Sequence, residues 1–231
     1  MPGIDRFTVL MLHCNGADAS PTFIDSSKNN YAITTAGNAQ IDTAQSKFGG
    51  GSGLFDGTGD YITIADSEDW NFGSADFTFD WWVRFNSNTG TGMAFFQQRV
   101  DDNNRILSLI DHDNNLLYFY IFNAAVTVAS MSRTWNPSAA TWYHVAILRN
   151  SNAVKMFVDG LQLGADETVT GTSPNLAAVV SIGARSSTSD LYLDGWLDEF
   201  RISKGIARWT ANFAVPIVEY SITKNQAHII T

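Results

Sequence analysis

Hydrophobic and polar residues alternate with a period of two along most of this chain. In "DFTFDWWVRFN", Phe77, Phe79, Trp81, Val83 and Phe85 share one face, and Asp76, Thr78, Asp80, Trp82, Arg84 and Asn86 share the other. That is the pattern of a strand with one side on a core and one toward water. "WYHVAILRN" alternates more weakly, with Tyr143, Val145 and Ile147 on one side. "AVKMFVDGLQL" sets Val154, Met156 and Val158 on one face, then reaches Asp159-Gly160, a dipeptide favoured in two-residue hairpin turns. "VVSIGARS" and "LYLDGWLDEFRIS" read as further strands, with turn-rich segments at 111–115 and 186–190. "LLYFYIFN" is apolar on both faces, which predicts a central strand covered on both sides. Only "SKGIARWTANF", Ser203 to Phe213, has room for a short helical turn. Many short strands without helices between them predict an all-β fold, an antiparallel sandwich.

No linker or fixed-period repeat interrupts the chain, so one domain is expected over residues 1–216. Residues 217–231, "IVEYSITKNQAHIIT", then form a tail, read as an arm or an added strand, with a frayed end as the alternative. At 231 residues such a domain buries enough surface to fold without a metal or a disulfide. The net charge of −9 argues against nucleic acid and against anionic membranes as partners. Cys14 is the only cysteine, which excludes an intrachain disulfide and a cysteine-based zinc cluster; its apolar surroundings suggest an inert thiol. No apolar run approaches the roughly 18 residues of a membrane span. The first residues make a poor secretory signal, because Asp5 sits beside Arg6 and the apolar run ends at His13. Synthesis in a cytoplasm is therefore expected.

Six glycines fall within Gly49 to Gly59, which raises the question of a phosphate loop. No glycine is followed by lysine, as a Walker loop needs. In the G-x-G-x-x-G register the last slot is Asp56 or Ile62, and a strand follows where a helix is required. These glycines are better read as a chain corner, where positive φ and close backbone approach are needed. Ser52 lies among them, again before a strand, which is not a nucleophile elbow. The four histidines (His13, His112, His144, His228) show no metal-binding spacing. Glycoside hydrolysis needs two carboxyls about 5–10 Å apart in one cleft. Asp194 and Asp198 are in phase around Trp196, but four residues of strand separate their Cα atoms by about 13 Å. Asp76 and Asp80 share that defect, and no enzymatic activity is expected.

The segments "LMLHCNGADASPTFIDSSKNN", "AQSKFGGGSGLFDGTGDYITI", "DFTFDWWVRF", "WYHVAILRNSNAVKMFVDG" and "LYLDGWLDEFRISKGIARWTANF" together resemble the laminin-G-like, concanavalin A-like lectin/glucanase domains. The form they are most similar to occurs in bacteriophage virion and tail-fibre proteins. The resemblance spans roughly residues 7–215 and implies a jelly-roll β-sandwich of about a dozen antiparallel strands. It implies a binding or structural module, with relatives that bind glycans or proteins at rim loops or on a sheet face, some with calcium. No cofactor is required; for a structural Ca2+ ion, Asp25 and Asp198 fit the acidic positions near the two termini. The alternative gives Asp25 a turn-capping role and Asp198 an arginine partner.

Glycan binding needs an exposed aromatic plane beside groups that hydrogen-bond hydroxyls. Trp82 with Asp80 and Arg84 is the first candidate set by alternation, and Trp135 in "SRTWNPS" is the second. The resulting expectation is a non-catalytic structural or adhesive component of a bacteriophage particle, such as a capsid decoration, tail or fibre protein. Its expected partners are other virion proteins or its own copies in a homo-oligomer, together with a host cell-surface glycan. It would be made in the host cytoplasm and be extracellular after release. A cellular carbohydrate-binding module is the alternative, and a glycoside hydrolase a more distant one.

Overall fold

The structure, a computed structural model, describes residues 3–90 and 92–222. Its strands in chain order are β1 (Thr8–Leu12), β2 (Ile33–Ala36), β3 (Gln40–Asp42), β4 (Ser52–Asp56), β5 (Tyr61–Ile64), β6 (Phe77–Phe85), β7 (Met93–Asp101) and β8 (Asn104–Asp111). They continue as β9 (Leu116–Asn123), β10 (Val126–Thr134), β11 (Trp142–Asn150), β12 (Ala153–Val158), β13 (Leu161–Gln162), β14 (Glu167–Thr168), β15 (Val180–Ile182) and β16 (Asp194–Lys204). One sheet runs β13-β12-β11-β6-β16-β4-β3, with β14 beside β12 and β1 beside β16; the other runs β10-β9-β8-β7-β15-β5-β2. All these strand pairings are antiparallel, and the two sheets form the sandwich that the alternation predicts.

The inward residues of β6 meet those of the facing sheet. Phe79 lies 4.7 Å, ring centre to ring centre, from Phe96 on β7, and Trp81 packs on Phe95 and Phe200. The hairpin at Asp159-Gly160 has positive φ at both residues (49° and 76°), as a type I′ turn requires. The glycine corner also forms, with φ of 60° at Gly49 and 87° at Gly50.

Two expectations are corrected. Residues 203–213 hold no helical turn: β16 runs to Lys204, and the following segment crosses the outer face of the nine-stranded sheet. Arg208 fixes it there, donating from its backbone N–H to Thr78 and from its guanidinium to Ser203 and Asp5. Trp209 and Phe213 stack 4.1 Å apart and pack with Ala146, Leu148 and Phe157. The second correction concerns β9, which is covered on one side only. Leu117, Phe119 and Ile121 face the core, whereas Leu116, Tyr118, Tyr120 and Phe122 are half-buried on the outside. Of the tail, residues 217–222 are described, and Ile222 forms a parallel bridge with Ile4; residues 223–231 lie outside the described residues.

Candidate functional site

The residues nominated by alternation do not form an exposed site. Trp82 points away from the sandwich core, yet it is only 3% exposed. Phe48 meets its ring edge-on, the Lys47 ammonium lies 4.0 Å from its centre, and His144 packs on its other side. Asp80 is fully buried in a forked ion pair with Arg201, at 2.9 and 3.0 Å, and also accepts a 2.6 Å hydrogen bond from the Tyr220 hydroxyl. Arg84 lies with its guanidinium 4.8 Å from the Trp196 ring centre. Trp135 belongs to the core, packed on Phe85 and Tyr143.

Asp25 is saturated by protein donors: the backbone N–H groups of Met11, Ser27 and Tyr31 and the Ser27 hydroxyl. That is the turn-capping alternative, with both oxygens used. Asp198 accepts from the backbone N–H groups of Lys47 and Phe48; among the described residues no arginine pairs with it and its Oδ1 has no partner. Burial pushes its carboxyl up to about 7, against the lowering effect of those two N–H groups. The two aspartates hold different loops, and Asp25 has no free oxygen for a cation. They do not fit a calcium cage of six or more oxygens.

The uncovered surface lies on the opposite sheet. On β9, period two brings Tyr118, Tyr120 and Phe122 to the outside. Tyr118 and Tyr120 are near-parallel, 5.5 Å apart, and Phe122 follows 6.2 Å from Tyr120. Register places exposed hydroxyls beside them: Thr127 opposite Phe122, Ser130 opposite Tyr120, Ser132 opposite Tyr118 and Thr134 opposite Leu116. On the other flank β8 sets Arg105 opposite Phe122, its guanidinium 4.4 Å from the ring centre, and Asp111 opposite Leu116. Asp102 joins Arg105 to Arg99 at this rim. Burial, then the neighbouring Tyr118, raise the pKa of the Tyr120 hydroxyl, so it stays neutral and able to donate. An apolar stripe edged by hydroxyls, a guanidinium and a carboxylate suits a ligand with apolar faces and many hydroxyl groups. Its sequence signal, three aromatics at alternate positions in "LLYFYIFN", was visible but indistinguishable from a second core-facing side.

A sequence model of the concanavalin A-like lectin/glucanases superfamily matches residues 56–208. The chain belongs to the concanavalin A-like lectin/glucanase superfamily. Comparison with curated protein sequences gives no match. Among solved structures, this superfamily member is similar to the receptor binding domain of botulinum neurotoxin D (15% identity, TM-score 0.66, covering 87% of this chain and 50% of that one). It is similar to the binding domain of botulinum neurotoxin DC, solved in complex with SialylT (17%, 0.64, 87% and 49%). A third similar structure is the binding domain of Paraclostridial Mosquitocidal Protein 1 (17%, 0.62, 87% and 49%). The chain thus spans about half the length of these structures, and at such identities the likeness is one of fold. All three are described as binding domains.

Proposed function

We propose that this lectin-like domain is a non-catalytic carbohydrate-binding module whose ligand lies along the outer face of β8, β9 and β10. The observation that carries the reading is the uncovered aromatic stripe Tyr118–Tyr120–Phe122 beside the hydroxyl row of β10. Sugar rings offer a C–H face to an aromatic plane and hydroxyls to the flanking donors and acceptors. A neurotoxin binding domain of the same fold solved with SialylT supports a glycan ligand. The carboxylates that a glycosidase reading needs have other roles: Asp80 pairs with Arg201, and Asp198 holds the 47–48 backbone.

A glycan array probed with the full chain tests this, followed by titration of the best ligand against Tyr120→Ala and Tyr118→Ala. Loss of about 1–1.5 kcal/mol of aromatic contact weakens binding roughly tenfold per residue. Absence of binding to any glycan, or wild-type affinity in both variants, overturns it. The motif resemblance supports a setting on a bacteriophage particle, where this face would attach to a cell surface. Detecting the chain on purified particles tests that setting separately.

A further inference from the structure

On the far side from the aromatic stripe, three chain segments bring His13, Glu199 and Glu219 together, with one ligand atom of each within 4.8 Å of the others. His13 follows β1, Glu199 sits at a β16 bulge, and Glu219 belongs to the segment that ends the described chain. Glu199 is only 1% exposed; one oxygen contacts His13 Nδ1 and the other accepts the Tyr220 N–H. Among the described residues, no lysine or arginine pairs with Glu199 or Glu219. A single imidazole therefore faces two carboxylates, with the fully buried Asp198 next to Glu199 in sequence.

A second, independent feature is Asn15. Its Nδ2 donates to Glu219, and its Oδ1 is buried with no hydrogen-bond partner among the described residues. Buried polar atoms normally have a partner, so an orphaned acceptor beside two carboxylates marks a missing positive group. Gly49 opens the space: the point where a Cβ would stand lies 2.1 Å from both Asn15 Oδ1 and Glu219 Oε1. A cleft of about 190 Å³ lined by His13, Cys14, Asn15, Ile24 and Ser26 adjoins it.

We propose that His13, Glu199 and Glu219, with Asn15 Oδ1 as fourth donor, bind a first-row transition dication of the zinc class. Donors around a tetrahedral zinc at about 2.1 Å stand roughly 3.4 Å apart, so ion entry parts the close His13–Glu199 contact and draws in the half-exposed Glu219, all three atoms starting within 4.8 Å of one another. An imidazole nitrogen with few oxygens suits this class, whereas calcium takes six to eight oxygens. The ion fastens the 217–222 segment to β1 and β16.

The test uses the purified full chain stripped with a chelator, titrated calorimetrically with Zn2+ and with Ca2+, and with Co2+ followed by its visible absorption. One Zn2+ or Co2+ per chain is expected, with at least tenfold weaker binding in Glu219→Gln and His13→Gln. Zinc also protects the C-terminal segment from limited proteolysis in the wild type and not in Glu219→Gln. If His13→Gln fails to fold, the half-exposed Glu219 position carries the test alone. No Zn2+ or Co2+ binding at millimolar concentration, unchanged binding in Glu219→Gln, or Ca2+ binding as tight as Zn2+ overturns the proposal. Glycan binding is unaffected in either variant, because its face lies on the other sheet.

Discussion

Asp80 shows how one residue's role is set by neighbours far away in the chain. Burial alone would raise its carboxyl pKa, but the Arg201 charge, then His144, hold it down to about 2, below the ordinary 3.8. A carboxylate depressed in the folded state contributes stability that is complete above its unfolded pKa. That contribution is lost as the carboxylate protonates. Acid unfolding should therefore show a component between about pH 4 and pH 2 that Asp80→Asn removes. The same substitution leaves Arg201 buried without its anion and should cost about 3–5 kcal/mol at neutral pH, measured by urea unfolding. Alternation puts Asp80 and Trp82 on the face opposite Phe79 and Trp81, but that face is buried and not toward water. The pattern carried no information on Arg201, Tyr220 or Phe48, which close over them.

Among the elements, two hairpins make an instructive pair. Asp159-Gly160 is a sequence suited to its type I′ turn, and it was legible for that reason. The β9–β10 connection uses Ala124 and Ala125 at φ of 49° and 66°, where alanine carries a steric penalty of about 1–2 kcal/mol per residue. This turn ends the aromatic stripe, and no turn signal in "FNAAV" announces it. Replacing Ala124 by Asn and Ala125 by Gly should raise stability by about 1–2 kcal/mol in a denaturant melt, with glycan affinity unchanged. The aromatic stripe was misread for a related reason: periodicity reports which side chains share a face, and what covers that face is decided by distant chain. In "LLYFYIFN" both faces are apolar and only one is covered. In "DFTFDWWVRFN" the polar-looking face is the covered one.

At the scale of the whole molecule the sandwich is asymmetric. The outer face of the nine-stranded sheet lies beneath Phe48, Trp209, Phe213 and Tyr220, while on the other sheet Tyr118, Tyr120 and Phe122 of the β8–β10 face stay only half-buried among the described residues. Outward-pointing aromatics on the two sides should then behave oppositely. Trp82→Ala removes a buried indole and should cost about 3–5 kcal/mol without weakening glycan binding. Tyr120→Ala should leave the melting temperature within a few degrees of wild type and weaken glycan binding roughly tenfold. Equal effects of both variants on either measurement would contradict this division.

The bridge between Ile4 and Ile222 gives this asymmetry a direction. Gly3 accepts from Arg201, and Ile4 clusters with Met11 and Tyr220, so chain entry and exit share one corner on the covered side. A carrier attached at this corner sits on the covered side of the sandwich, opposite the aromatic stripe. The aromatic stripe then faces outward, away from whatever bears the module.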